Sequence, residues 1–324
     1  MNKQILTKVT NQTDLKNHYV FRNGFVFTSV GSETNVFDGI VIRSPETSNV
    51  SSPVLGLSEK TLEEHIALVN EYQLEKAVVV ANSLEFITRC PSLRFLNIYP
   101  SDCADANFDY SPLYQMPNVE YLRCETNYGT QQKLSTTIDC SRISGLRYLF
   151  LSDCGHLNFK ELNTLESLNI NNFKNLKSLE VFSLNKNLNK LDIVQCSIDS
   201  LKGVRHFENL EHLSLCYNRT LSDISELGKV ATSLKAFDII NCSKIKDFSV
   251  LSQLENLEHL YLYGNNEIED LSFLKNMKKL KTFVFSVNIL NGDLTPCIDV
   301  NYVCCLRNRK HYNLRDSDLP KNLA

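Results

Sequence analysis

A nine-residue pattern, apolar-x-x-apolar-x-apolar-x-x-(Asn or Cys), recurs along most of this chain and constrains its fold more than any other feature. It fits Leu257-x-x-Leu260-x-Leu262-x-x-Asn265, Leu210-x-x-Leu213-x-Leu215-x-x-Asn218 and Leu188-x-x-Leu191-x-Ile193-x-x-Cys196. It also fits Leu234 to Cys242, Leu280 to Asn288, Leu146 to Cys154 and Val119 to Asn127. The copies from Leu165 and Leu93 lose the ninth residue, to Phe173 and Ser101, and weaker copies start at Leu74 and Val300. First positions fall at 74, 93, 119, 146, 165, 188, 210, 234, 257, 280 and 300, in steps of 19 to 27 residues. Units this short cannot bury their own apolar edge, so they must stack.

Alternation assigns faces within each copy. Positions 4 and 6 point inward on a short strand, and positions 3, 5 and 7 point outward. Each inward Leu contributes roughly 1.5–3 kcal/mol of burial. The position-9 amide can satisfy backbone groups where the chain leaves the strand, and a buried Cys can stand in its place.

These copies resemble the leucine-rich repeat family over roughly residues 74–308, most closely the short-repeat type of bacterial internalins. The second half of each unit agrees: Asn265 is followed by Ile268, Leu271, Leu274 and Met277. The resemblance implies an α/β repeat solenoid with a concave parallel sheet of about eleven strands and a role in binding other proteins.

The flanks read as caps. Tyr19 to Thr28 predicts a hairpin with a two-residue Asn23-Gly24 turn, and Asp38-Gly39 a second turn of that sort. Thr61-x-x-Glu64 predicts a capping box for a helix with Leu62, Ile66 and Val69 on one face. The expected domains are a β-rich cap or small module over 1–57, a capping helix over 58–73, the solenoid over 74–308 and a polar C-terminal cap over 309–324.

Composition narrows the function. Lys and Arg number 34 against 37 Asp and Glu, so no basic excess points to nucleic acid or anionic lipid. The longest apolar runs, such as Ala77–Ala81, are far shorter than the ~20 residues of a membrane helix. The start reads as free of a signal peptide, and eleven Cys without short paired spacing then predict reduced thiols in a cytoplasmic protein. No metal-binding, phosphate-cradling or nucleophile-elbow motif occurs, and no enzyme activity or cofactor is expected. His212 and His259 share outward position 3 but lie two strands apart, too far to share a metal.

The outward positions carry two aromatic sets. The first is Phe95, Tyr99, Tyr121, Tyr148 and Phe150, with Arg123 among them. The second is Tyr261 and Tyr263, beside Asp238 and His259. Tyr, Phe and Arg in contiguous sets have the composition of interface anchors. Extra segments at Asp102–Met116 and Tyr128–Ser144 flank the first set. In the first segment, Phe108, Tyr110 and Tyr114 stand among Asp102, Asp105 and Asp109, and read as exposed aromatics suited to a basic partner. The leading expectation is a non-catalytic protein that grips a protein partner on this face. The alternative is an inhibitor or immunity protein that blocks a toxin or enzyme with the same surface. A secreted adhesin fits less well, given the many Cys and the absence of an export signal.

Overall fold

A computed structural model describes residues 20–22, 26–28, 39–43, 61–100, 108–125, 138–152 and 162–322. The chain divides into two compact units, residues 1–159 and 160–324. Each is built as a stack of strands.

In the first unit the strands are β1 (Val20–Arg22), β2 (Val26–Thr28), β3 (Gly39–Arg43), β4 (Lys76–Ala81), β5 (Phe95–Pro100), β6 (Tyr121–Glu125) and β7 (Tyr148–Ser152). Strands β3 to β7 pair in parallel, each with the next in sequence. The hairpin β1–β2 is antiparallel and joins β3. Arg22 pairs with Val26, so three residues separate the strands rather than the two of a tight Asn-Gly turn. Those loop residues, and Asp38, lie outside the described residues. Gly39 itself opens β3, which extends the parallel stack one strand before the first repeat.

Helix α1 (Leu62–Tyr72) packs beside this edge. Thr61 accepts from the Glu64 N–H at 3.2 Å, and the Glu64 carboxylate accepts from the Thr61 N–H at 2.8 Å. This reciprocal cap is the one that the Thr-x-x-Glu spacing predicts. The helix buries His65, Ile66, Val69 and Tyr72. His65 is tolerated inside because its Nε2 donates to the Arg43 carbonyl at 3.1 Å.

The second unit holds β8 (Ser167–Asn171), β9 (Lys190–Val194), β10 (His212–Cys216), β11 (Ala236–Ile240), β12 (His259–Tyr263), β14 (Thr282–Phe285) and β16 (Tyr302–Cys305). These seven pair in parallel and in register: Leu168, Leu191, Leu213, Phe237, Leu260, Phe283 and Val303 form one continuous row. The two-residue strands β13 (Glu267–Ile268) and β15 (Asn288–Ile289) pair separately. Every one of the eleven copies thus carries a strand, and its inward positions are closed to solvent.

The return path of most units is a 3₁₀ turn. It begins with an Asp whose carboxylate accepts the N–H of a Ser or Thr two residues on: Asp223 to Ser225 (2.8 Å), Asp247 to Ser249 (2.8 Å), Asp270 to Ser272 (2.7 Å) and Asp293 to Thr295 (2.9 Å). The exit from the strand recurs as well. Asn172, Gln195, Tyr217 and Asn241, all at position 8, have φ between 53° and 64°.

The position-9 ladder follows directly. Cys196 donates to the Ile170 carbonyl (3.7 Å), Asn218 to Ile193 (2.8 Å) and Cys242 to Leu215 (3.3 Å), each reaching position 6 of the preceding unit. The next unit departs from the pattern. Gly264 occupies position 8 with φ of 137°, Asn265 is exposed, and Asn266 is the buried residue that donates to Cys242 and Ile245. Cys154 lies outside the described residues.

At the last strand, Tyr302 bridges antiparallel to Lys321, and the Val303 N–H donates to Pro320. The Tyr312 hydroxyl accepts from the Ile289 N–H (3.0 Å) and donates to the Val287 carbonyl (3.1 Å). These bonds occupy backbone groups of β16 and of the preceding unit, covering what would otherwise be an unpaired edge.

Candidate functional site

The outward positions of the strands form one face in each unit, and the two faces differ in chemistry. In the first unit, Phe95, Tyr121 and Tyr148 pair in register and form a row across three strands. Arg123 pairs with Phe150 in the next row, its guanidinium 4.0 Å from the ring centre. Lys76 and Arg94 lie 5.7 and 5.8 Å from the Phe95 ring, and Arg147 lies 5.5 Å from that of Tyr148. Tyr99 pairs with Val80 toward the other end of β5. All six candidate side chains are half-buried. The face is therefore a set of rings dressed by cations, which hold the aromatic planes in place.

Its accessible part is narrower than strand alternation predicts. Val41, Arg43, Val78, Val80 and Asn97 all occupy outward positions, yet each is buried. The aromatic residues of the first extra segment also differ from expectation. Phe108 and Tyr110 are core residues in edge contact, 5.0 Å between ring centres. The Tyr114 hydroxyl accepts from the Asp139 N–H at 2.9 Å, and Arg142 lies 4.2 Å from its ring. Asp109 is committed to Ser111. The exposed acidic-aromatic surface expected there does not form from these residues, because the segment has its own core to fill. Asp102 and Asp105 lie outside the described residues.

In the second unit the face is polar at its centre and aromatic to one side. Asp238 pairs in register with Tyr261, and Ile240 with Tyr263. The two tyrosine rings stack, 6.3 Å apart and 15° from parallel. His259 pairs with Ala236 on one side and Thr282 on the other. The histidine that meets Asp238 is His212, on β10: its Nε2 is 3.6 Å from Asp238 Oδ2 and 3.6 Å from Asp192 Oδ1. The residue-by-residue reading missed this bridge. The signal was available: a position-3 His has a position-5 Asp on each neighbouring strand.

Burial holds the Asp238 carboxyl above its ordinary range; His212 and Ser214 oppose that shift, and Asp192 adds to it. Burial likewise raises the phenols of Tyr261 and Tyr263, with negative Asp238 contributing to both. Cys216 stands on the same face with its Sγ 3.4 Å from Ser214 Oγ, and burial pushes its thiol up. A raised thiol is a poor nucleophile at neutral pH, so Cys216 is not an activated cysteine. Among the described residues, no group of three or more His, Cys, Asp or Glu is placed to hold a metal ion. No helix there is long and apolar enough to cross a membrane.

The family description "Leucine Rich repeats (2 copies)" matches residues 232–276, which span β11 and β12 and the turns around them. No curated protein matches the chain in sequence. Among solved structures, an internalin of Listeria monocytogenes is 18% identical, with 79% of this chain and 84% of that one covered and a TM-score of 0.42. A second Listeria monocytogenes protein, described as a functional domain that includes a cysteine ladder, is 19% identical over 66% of this chain and 43% of that one, with a TM-score of 0.44. A leucine-rich repeat protein of Leptospira interrogans is 16% identical over 68% and 62%, with a TM-score of 0.47. Eleven copies of the pattern with a strand in each, and a family match across two of them, give this chain the repeat architecture of leucine-rich repeat proteins.

Proposed function

We propose that this protein is a non-catalytic binding protein that grips a protein partner on the outward face of its parallel strands. The observation that carries this reading is the row Phe95–Tyr121–Tyr148 with Arg123 set on Phe150, on adjacent strands of one sheet. Rigid rings already oriented by neighbouring cations lose little freedom on binding, which favours affinity from a few anchors. Lining the working surface with aromatic side chains and few catalytic-type groups suits recognition better than chemistry. Free, buried thiols at Cys90, Cys124, Cys140, Cys196, Cys242, Cys297 and Cys305 support a reducing cytoplasmic setting.

The experiment is capture of the partner from the native cell, followed by calorimetric titration of purified variants. Tyr121→Ala and Phe150→Ala should each weaken binding by about 30-fold or more, with the thermal unfolding midpoint little changed. Loss on Tyr261→Ala alone would place the contact on the second unit. Full affinity in all three variants would refute the outward face as the binding surface.

A further inference from the structure

Where β8, β9 and β10 end, the second unit opens a cleft whose positive charge the fold leaves unbalanced. The exit turns bond to one another: the Ser197 N–H donates to Phe173 (3.1 Å) and the Gln195 N–H to Cys216 (2.8 Å). Lys174, Ser197 and Arg219 occupy the same place in consecutive repeats, one residue past the position-9 ladder. With Gln195, Tyr217 and Thr220 they line a cleft of about 280 Å³, open on one side, and no carboxylate lines it. Lys174 Nζ donates to the Gln195 carbonyl at 3.0 Å. That bond carries the ammonium across to the next turn and leaves it two N–H donors for another acceptor. The Arg219 guanidinium makes no ion pair or hydrogen bond with another described residue. The two cations start two strand steps apart, about 10 Å, with only a serine between them.

Tyr217 is an independent sign at the same place. Its exit position has positive φ, and neighbouring repeats fill it with Asn172, Gln195, Asn241 and Gly264. A bulky aromatic residue goes against that backbone preference. Core packing does not account for it either, since the residue is 44% exposed. The cleft thus offers two cations, the hydroxyl of Ser197 and an open aromatic ring. A cation is repelled there, and an apolar group would strip water from Lys174 and Arg219 without replacing it. A carboxylate brings one charge and two oxygens. A phosphate monoester brings nearly two charges and three acceptor oxygens, enough for the ammonium, the guanidinium fork and the serine together. A small free ligand is normally enclosed on most sides, which this open cleft does not do, so a larger carrier fits better.

We propose that this cleft takes a phosphorylated side chain of a protein partner, its phosphate held between Lys174 and Arg219 and the flanking chain laid on Tyr217. The assignment rests on the reading of this chain as a protein-binding protein and adds a contact at the strand exits. Arg219 supplies the forked donor pair, and Lys174 supplies a point charge that its bond to Gln195 already holds in place.

The full-length protein, labelled with carbon-13 in its tyrosine rings, tests this by nuclear magnetic resonance. The Tyr217 signal is identified by its loss in Tyr217→Phe. The probe is a blocked tripeptide with phosphoserine between two glycines, titrated beside the same peptide with serine or aspartate and beside inorganic phosphate. The phosphopeptide should shift the Tyr217 signal saturably, and the serine peptide should leave it in place. The aspartate peptide and inorganic phosphate should each bind about threefold or more weakly. Lys174→Ala and Arg219→Ala should each weaken the phosphopeptide by about fivefold or more, the loss of a charge-assisted contact. Arg219→Lys keeps the charge, loses the fork and should weaken it by about twofold or more. Lys229→Ala, an exposed lysine outside the cleft, should change nothing, which separates a site from a general charge effect. The proposal is overturned if the Tyr217 signal does not move or if the cleft variants bind as the wild type does. It is also overturned if Lys229→Ala weakens binding equally, or if aspartate or inorganic phosphate matches the phosphopeptide. Should it fail while Tyr121→Ala still weakens the captured partner, only the phosphate assignment falls. If the phosphopeptide binds as expected while Tyr121→Ala, Phe150→Ala and Tyr261→Ala leave the captured partner's affinity unchanged, the outward face falls and the cleft stands.

Discussion

Leu213 and Ser214 are neighbours on β10 and face opposite ways. Leu213 is fully buried among the inward row, so Leu213→Ala removes packed atoms and leaves a cavity, at a cost of about 2–5 kcal/mol. Ser214 is outward by alternation but only 8% exposed, lying against Cys216. Ser214→Ala should therefore cost about 1 kcal/mol, more than a free surface serine yet well below Leu213. Urea unfolding of both variants reads the difference, and equal losses would mean that the register is shifted by one residue. The thiols make a second prediction at this scale. Burial pushes Cys90, Cys196 and Cys242 up to about 11 and Cys297 to about 12. At pH 8 these four should resist a thiol reagent in the folded protein and react in denaturant, where nearly all eleven cysteines should count as free. Rapid labelling of Cys196 in the native state would contradict its place in the ladder.

The 3₁₀ turns carry a prediction of their own. Hydrogen bonds from Ser249, Ser272 and Thr295 hold the carboxyls of Asp247, Asp270 and Asp293 below their ordinary range. A carboxyl lowered on folding stabilises the native state above its unfolded pKa, and that contribution is lost as pH falls through the folded value. Stability should decline from about pH 4 downward. The triple variant Asp247→Asn, Asp270→Asn, Asp293→Asn should flatten that decline, measured as urea midpoint against pH; an unchanged slope would remove these turns from the acid response. Such turns were not anticipated, although Asp-x-(Ser/Thr) recurs at repeat spacing. The Leu spacing is set by burial, and these exposed polar turn residues leave no mark on it. The charge ladder at position 2 escaped for the same reason. Glu75, Arg94, Glu120, Arg147 and Glu166 alternate in sign, as do Glu211, Lys235, Glu258 and Lys281. Arg94 pairs with both Glu75 and Glu120, Lys235 with Glu211 and Lys281 with Glu258. Strands, inward rows and the helix cap were legible because burial and capping leave fixed spacings. The shift from Asn265 to Asn266 was not, since it depends on a glycine that adopts a backbone geometry which the spacing of Leu residues cannot register. The candidate faces were legible as columns. Which side chains fill the face, such as Asn97, and which bridge strands, such as His212, depend on contacts between units.

Within each unit, each strand bonds only to its neighbours, which gives the unit a one-dimensional character. In the second unit, Leu213 and Phe237 pair across adjacent strands and share the inward row. Leu168 on β8 and Phe283 on β14 lie five strand steps apart in the paired order, roughly 24 Å at the usual spacing. Nearest-neighbour coupling then makes a sharp distinction. Leu213→Ala with Phe237→Ala should be non-additive by about 0.5–3 kcal/mol, because the two cavities merge and relax together. Leu168→Ala with Phe283→Ala should add within about 0.5 kcal/mol. The cycles are read by urea unfolding, with the slope watched alongside the midpoint, since a falling slope in one variant would signal that a run of units has melted before the rest. Strong coupling between Leu168 and Phe283 would show that the unit behaves as one globular core rather than as a stack. The outcome bears on function, because local coupling lets an outward face be altered at one strand without disturbing anchors several strands away. The variants that test Tyr121 and Phe150 against Tyr261 depend on that independence.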